Sequence, residues 1–129
     1  MTTGYSGTPL PRKLGVRPDS RVLVIDAPEG FDPGAYFDVA ANGEPYDVVL
    51  LFCADVAALH AGFEAAAAAH GTAGMVWVCW PKRSSGVRTD LSDGVVRQYG
   101  LDHGQVDVKV AAIDATWSGL KFVTRLRDR

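Results

Sequence analysis

The residues with the clearest chemical pattern are Lys82-Arg83-Ser84-Ser85-Gly86, which follow an apolar run ending in Trp80-Pro81. Two cations and two hydroxyls just ahead of a helix start suit an anion, because free N–H groups at a helix N-terminus and the helix dipole both favour negative charge. A phosphate or carboxylate is the expected occupant. The competing expectation is that Lys82 and Arg83 pair with Asp90, Asp93 or the terminal carboxylates.

Other residues carry weaker patterns. Trp80 and Trp117 would either stack a planar ligand or pack at strand ends. Asp26 and Asp114 would act as acid and base, or cap the turns beside them. Cys53 becomes a nucleophile only if a basic partner lowers its pKa, and no basic residue adjoins it, so an inert thiol is expected. His60, His70 and His103 form neither a metal-ligand spacing nor a Cys-His pair. No metal and no bound cofactor are expected.

Several elements must position these groups. Thr8-Pro9 opens a short helical turn on which Leu10 and Leu14 share a face and which Gly15 can close, a clasp over about residues 1–15. Arg21 to Asp26 is a continuous apolar run bounded by turn residues, a strand buried on both faces. Residues 27–46 hold three prolines and three glycines, which predicts a wandering connection with one helical turn near Ala35 to Ala40. A second buried strand covers Asp47 to Phe52. A helix capped by Asp55 runs to His70 and ends at Gly71, with Val56, Leu59, Phe63 and Ala66 or Ala67 on one stripe.

Met75 to Trp80 is the third strand, stopped by Pro81. The next helix starts at Thr89 or Asp90, carries Leu91, Val95 and Tyr99 four apart, and ends at Gly100. Val106, Val108 and Val110 alternate with Gln105, Asp107 and Lys109, the period of a strand with one polar face, which belongs at an edge. Asp114 to Gly119 is too short for a helical crossover, so a last strand over about Leu120 to Arg127 must return antiparallel. A three-layer α/β fold follows, with five strands in the order 1-2-3-5-4 and the last antiparallel.

Composition narrows the setting. The chain has 129 residues, 47% apolar and 22% charged, enough for one α/β domain over 1–129 without disulfide staples. Cys53 and Cys79 both end very apolar runs, where reduced thiols are usual, and this favours a cytoplasmic location. A formal charge of −2 gives no bulk attraction to nucleic acid, and no apolar run is long enough for a membrane span.

The succession of strands and crossover helices, with Leu14-Gly15-Val16-Arg17-Pro18-Asp19-Ser20-Arg21-Val22-Leu23-Val24-Ile25 leading into the first strand, resembles class I S-adenosylmethionine-dependent methyltransferases. More specifically, the chain resembles a family of small bacterial proteins sharing a domain of unknown function. The resemblance rests on Gly4-Tyr5-Ser6-Gly7-Thr8-Pro9-Leu10, Ala27-Pro28-Glu29-Gly30-Phe31, Trp80-Pro81-Lys82 and Thr116-Trp117-Ser118-Gly119-Leu120-Lys121. It implies a shortened Rossmann-like fold. The methyltransferases, however, carry a Gly-x-Gly loop after the first strand, where this chain has Asp26-Ala27-Pro28-Glu29-Gly30-Phe31 with a single glycine. S-adenosylmethionine is therefore not an expected ligand.

Ligands of open parallel sheets gather at the carboxyl ends of the strands. That rim would hold Asp26, Glu29, Gly30 and Phe31, then Trp80, Lys82, Arg83 and Ser84, then Asp114, Thr116, Trp117 and Ser118. Such a rim, poor in paired catalytic groups, favours a small-ligand-binding or regulatory module on a degenerate methyltransferase-like scaffold. The alternatives are an enzyme, either a divergent methyltransferase or a transferase acting on an anionic substrate, and a protein-partner or homo-oligomer surface anchored by Tyr5, Phe31 and Trp117. The segment Tyr5 to Leu10 is expected to fold back over this rim.

Overall fold

A computed structural model describes residues 7–129. Five strands form one sheet: β1 (Val22–Ile25), β2 (Tyr46–Phe52), β3 (His70–Pro81), β4 (Gln105–Ala112) and β5 (Trp117–Thr124). Their order is β1-β2-β3-β5-β4, with β1, β2 and β3 mutually parallel and β5 antiparallel to both of its neighbours. This is the topology that the short final connection requires.

Strand alternation divides the core in two. Odd residues of β2 and even residues of β3 (Val49, Leu51, Val76, Val78) face the helices α2 (Val56–Ala69) and α3 (Asp93–Asp102), where they meet Leu59, Phe63 and Val96. On the opposite face Val48, Leu50, Phe52, Trp77 and Cys79 meet the short helix α1 (Leu10–Leu14) and the connection after β1, through Leu14, Phe31 and Phe37. Three layers result. α1 is tied to the middle of the sheet, because the indole N–H of Trp77 donates to the Leu14 carbonyl at 3.0 Å. Gly15, left-handed at φ 80°, closes that helix as the sequence predicts.

Several boundaries differ from those expected. β3 begins at His70 directly after α2, so Gly71 does not end the helix, and the register against β2 shifts between Tyr46 and Val48 to absorb the extra residues. His70 is buried, with Nε2 2.9 Å from Gln105 Oε1, so it belongs to the sheet and not to α2. No helical turn forms between Ala35 and Ala40; instead Asp38 makes a parallel bridge to Leu23, exchanging bonds with Val22 and Val24 along the free edge of β1. That bridge satisfies edge N–H and C=O groups that would otherwise face water.

α3 starts later than Thr89 or Asp90, with Ser92 as its cap, and Gly100 lies inside it. Its most deeply buried apolar side chain is Val96, while Val95 is exposed. β5 lies three residues earlier than expected, because pairing with β3 begins at Trp117 opposite Pro81, and a turn of 3₁₀ helix over Leu126–Asp128 follows it. β4 takes the sheet edge, but a bulge between Asp107 and Lys109 breaks its alternation, leaving Val108 and Val110 52% and 50% exposed.

Candidate functional site

The carboxyl ends of β1, β2 and β3 and the hairpin joining β4 to β5 do form one rim, but the sheet divides it. Trp80 pairs with Ser118, and Trp117 pairs with Pro81. Adjacent positions on a strand point to opposite faces, so Trp80 packs with the α2 and α3 core while Trp117 packs with the α1 core. The two indoles cannot sandwich one planar ligand. Each has the packing role weighed for it from the sequence.

On the α1 side the rim is filled by rings. Phe31 meets Phe52 edge-on at 4.9 Å between centroids, and Phe52 meets Trp117 at 5.1 Å. Phe31 reaches this position through a tight turn in which its N–H donates to the Pro28 carbonyl at 3.2 Å, with Gly30 at φ 84°. Glycine suits that position because a left-handed φ there strains any residue with a β-carbon. Glu29 at the same turn is exposed, as is Asp26, which sits at φ 58°, a conformation aspartate tolerates better than most residues.

In the β4–β5 hairpin, Asp114 Oδ1 accepts the N–H groups of Thr116 and Trp117, both at 2.8 Å. Its carboxylate therefore holds the turn, the structural role of the two considered from the sequence. The Thr116 carbonyl in turn accepts the Lys82 N–H at 2.8 Å and joins the hairpin to the loop after β3.

On the α2 and α3 side an open groove of about 570 Å³ lies between that loop and the outer strands. Four of the residues expected at the rim line it: Trp80, Lys82, Arg83 and Ser118. Ser84 lies beside them on the 3₁₀ turn Arg83–Ser85, exposed. The pattern around Lys82 did not bring Arg88, Val87, Leu91 or Val110 into the site, and it offered Asp93 only as an ion-pair partner; all five line the groove. The bulge in β4 hides Val110 from a reading based on strict alternation, since it is an exposed wall of the groove and not a core residue.

The electrostatics of the groove are simple. Among the described residues none of Lys82, Arg83 and Arg88 pairs with a carboxylate, whereas Arg97 pairs with Asp107 at 2.9 Å. Asp90, one partner expected for the two cations, instead accepts the Val56 N–H at 2.8 Å. Part of the loop's backbone N–H set is already spent: Ser85 and Gly86 donate back to Lys82 and Arg83, and Val87 donates to Ser85 Oγ at 3.1 Å. The cationic side chains that line the groove are Lys82, Arg83 and Arg88.

Cys53 lies under the rim, where burial first, and then the carboxylates of Asp26 and Asp55, push its thiol up to about 12. Full burial raises Cys79 well above the ordinary thiol range too, and both cysteines are free thiols. Among the described residues no group of three His, Cys, Asp or Glu side chains comes together as a metal site. Nor is any helix among them long and apolar enough to cross a membrane.

Comparison with solved structures gives a likeness of fold. The chain superimposes on a protein from Thermoplasma acidophilum described as a "putative methyltransferase", with a TM-score of 0.53 and 11% identity over 98% of this chain and 77% of that one. The shared feature is the fold. No protein-family model and no curated protein matches the chain.

Proposed function

We propose that this chain is a cytoplasmic small-ligand-binding module on a degenerate methyltransferase-like scaffold, and that its ligand is an anion held in the groove at the end of β3. The observation that carries the proposal is a concave site lined by Lys82, Arg83 and Arg88 with no carboxylate paired to any of them. Clustered cations repel one another, and an anionic guest relieves that repulsion while the groove walls supply apolar contact.

A binding role is favoured over catalysis by how the reactive groups are used. Asp114 holds a turn, and Cys53 is a protonated thiol at neutral pH. Methyl transfer would draw support from the likeness to the Thermoplasma protein, but the loop after β1 offers a single glycine, and Phe31 folds inward onto Phe52. S-adenosylmethionine is accordingly not proposed as a ligand.

Native mass spectrometry of the protein purified from its own cells tests this proposal. A retained small acid should accompany the wild-type chain and be absent from Lys82→Glu and Arg83→Glu, whose melting temperatures should stay close to wild type because neither charge, half-buried at Lys82 and exposed at Arg83, is held in an ion pair. Retention of the same molecule by both variants would remove the groove from the site.

A further inference from the structure

We infer that the groove selects an organic phosphate monoester, with the phosphoryl group on Arg83 and Arg88 and an apolar or planar body along Trp80 and Val110. The inference rests on the anion-binding role proposed above and names the class of anion. Charge is the first reason. Three cations and one carboxylate, Asp93, line the groove, leaving two positive charges uncompensated. A phosphate monoester carries about −1.5 to −2 charges near neutrality, whereas a simple carboxylate carries one.

Donor geometry is the second reason. The amides of Ser85, Gly86 and Val87 bond within the loop and those of Val95 and Val96 bond to Ser92, so none of these five is available to an anion. Recognition falls to two guanidinium forks and one ammonium. Planar forks grip phosphate oxygens in pairs, and lysine adds a point charge beside them.

The shape of the groove supplies the third. A volume of about 570 Å³ is far more than inorganic phosphate needs, and beside the hydroxyls of Thr89, Ser92 and Ser118 its wall carries apolar side chains, Val87 and Val110 about half exposed and Trp80 and Leu91 nearly buried. An anion without a body would leave that surface wet. A body of one or two rings would cover it.

The test is a titration of ¹⁵N-labelled protein with phenyl phosphate, inorganic phosphate and benzoate, following backbone amide shifts. Phenyl phosphate should shift amides of residues 82–93 and 110, binding about tenfold or more tighter than either other probe, a difference of about 1.4 kcal/mol. Arg83→Glu and Arg88→Glu should each abolish those shifts while the rest of the spectrum stays folded. Benzoate binding at the same amides as tightly as phenyl phosphate would overturn the phosphate class and leave the anion groove standing. Inorganic phosphate binding as tightly would overturn the role of the apolar wall. Absence of shifts in this groove with all three probes at millimolar concentration would overturn both the inference and the function it rests on.

Discussion

The carboxylate of Asp90 accepts a hydrogen bond from the backbone N–H of Val56 at 2.8 Å, so the loop after β3 caps a helix that begins 34 residues earlier. Thr89 reinforces the link by donating its hydroxyl to the Ala54 carbonyl at 2.7 Å. One wall of the groove is thus pinned to the start of α2, which keeps the cationic loop in place without ion pairs. Asp55 satisfies the Ala58 N–H of the same helix, so two carboxylates share its N-terminus.

Replacing Asp90 by alanine should therefore destabilise the fold by about 1 kcal/mol, the usual worth of a lost helix cap, although Asp90 lies outside the helix it serves. Asp90→Asn, which keeps an acceptor oxygen, should lose less. Urea unfolding midpoints of the two variants measure this, and equal losses would mean that charge, not the hydrogen bond, is what matters.

Gly100 should resist substitution for steric reasons. A β-carbon there would overlap the ring of Phe122, which is fully buried between α3 and the sheet and has no free direction in which to swing. Alanine has the better helix propensity by about 1 kcal/mol, but forcing a methyl into a packed core costs about 1–3 kcal/mol. Gly100→Ala should lower the melting temperature, and Gly100→Ala combined with Phe122→Leu should recover part of the loss.

The two thiols should be silent in the native state. With Cys53 pushed up to about 12 and Cys79 also raised by burial, almost no thiolate exists at neutral pH. A disulfide-exchange reagent at about pH 8 should label neither in the folded protein and both after denaturation. Rapid native labelling of Cys53 would show that the rim opens and would revive a chemical role for it.

Tyr46 gives the fold an alkaline limit. Its hydroxyl donates to Asp38 Oδ2 at 2.5 Å; that bond first, then burial and the carboxylate's charge, raise the phenol above its ordinary 10.0. The folded state prefers the neutral phenol. Its contribution is therefore complete below the unfolded value and is lost as pH rises through the folded one. Unfolding free energies between about pH 8 and about pH 11 should fall more steeply for wild type than for Tyr46→Phe. Parallel curves would show that the bond to Asp38 does not couple to titration.

Composition and local pattern alone determined the sheet. Apolar runs of β-branched residues at Val22–Ile25 and Val48–Phe52 have one low-energy use, as strands buried on both faces, and a connection too short for a helix forces β5 to run antiparallel. The cap of α2 by Asp55 was equally legible, because a capping bond spans three residues. The loop carrying Lys82 and Arg83 was visible as a basic cluster for the same local reason.

Tertiary structure decided what distant segments do to each other. Asp90 caps the other helix, a bulge turns Val110 outward to make a groove wall, and Trp80 and Trp117 fall on opposite faces because neighbouring positions in a sheet alternate. None of these is encoded in a window of sequence. Each depends on which backbone N–H or which face of the sheet is left unsatisfied once the strands have paired, a quantity that exists only after the chain has folded.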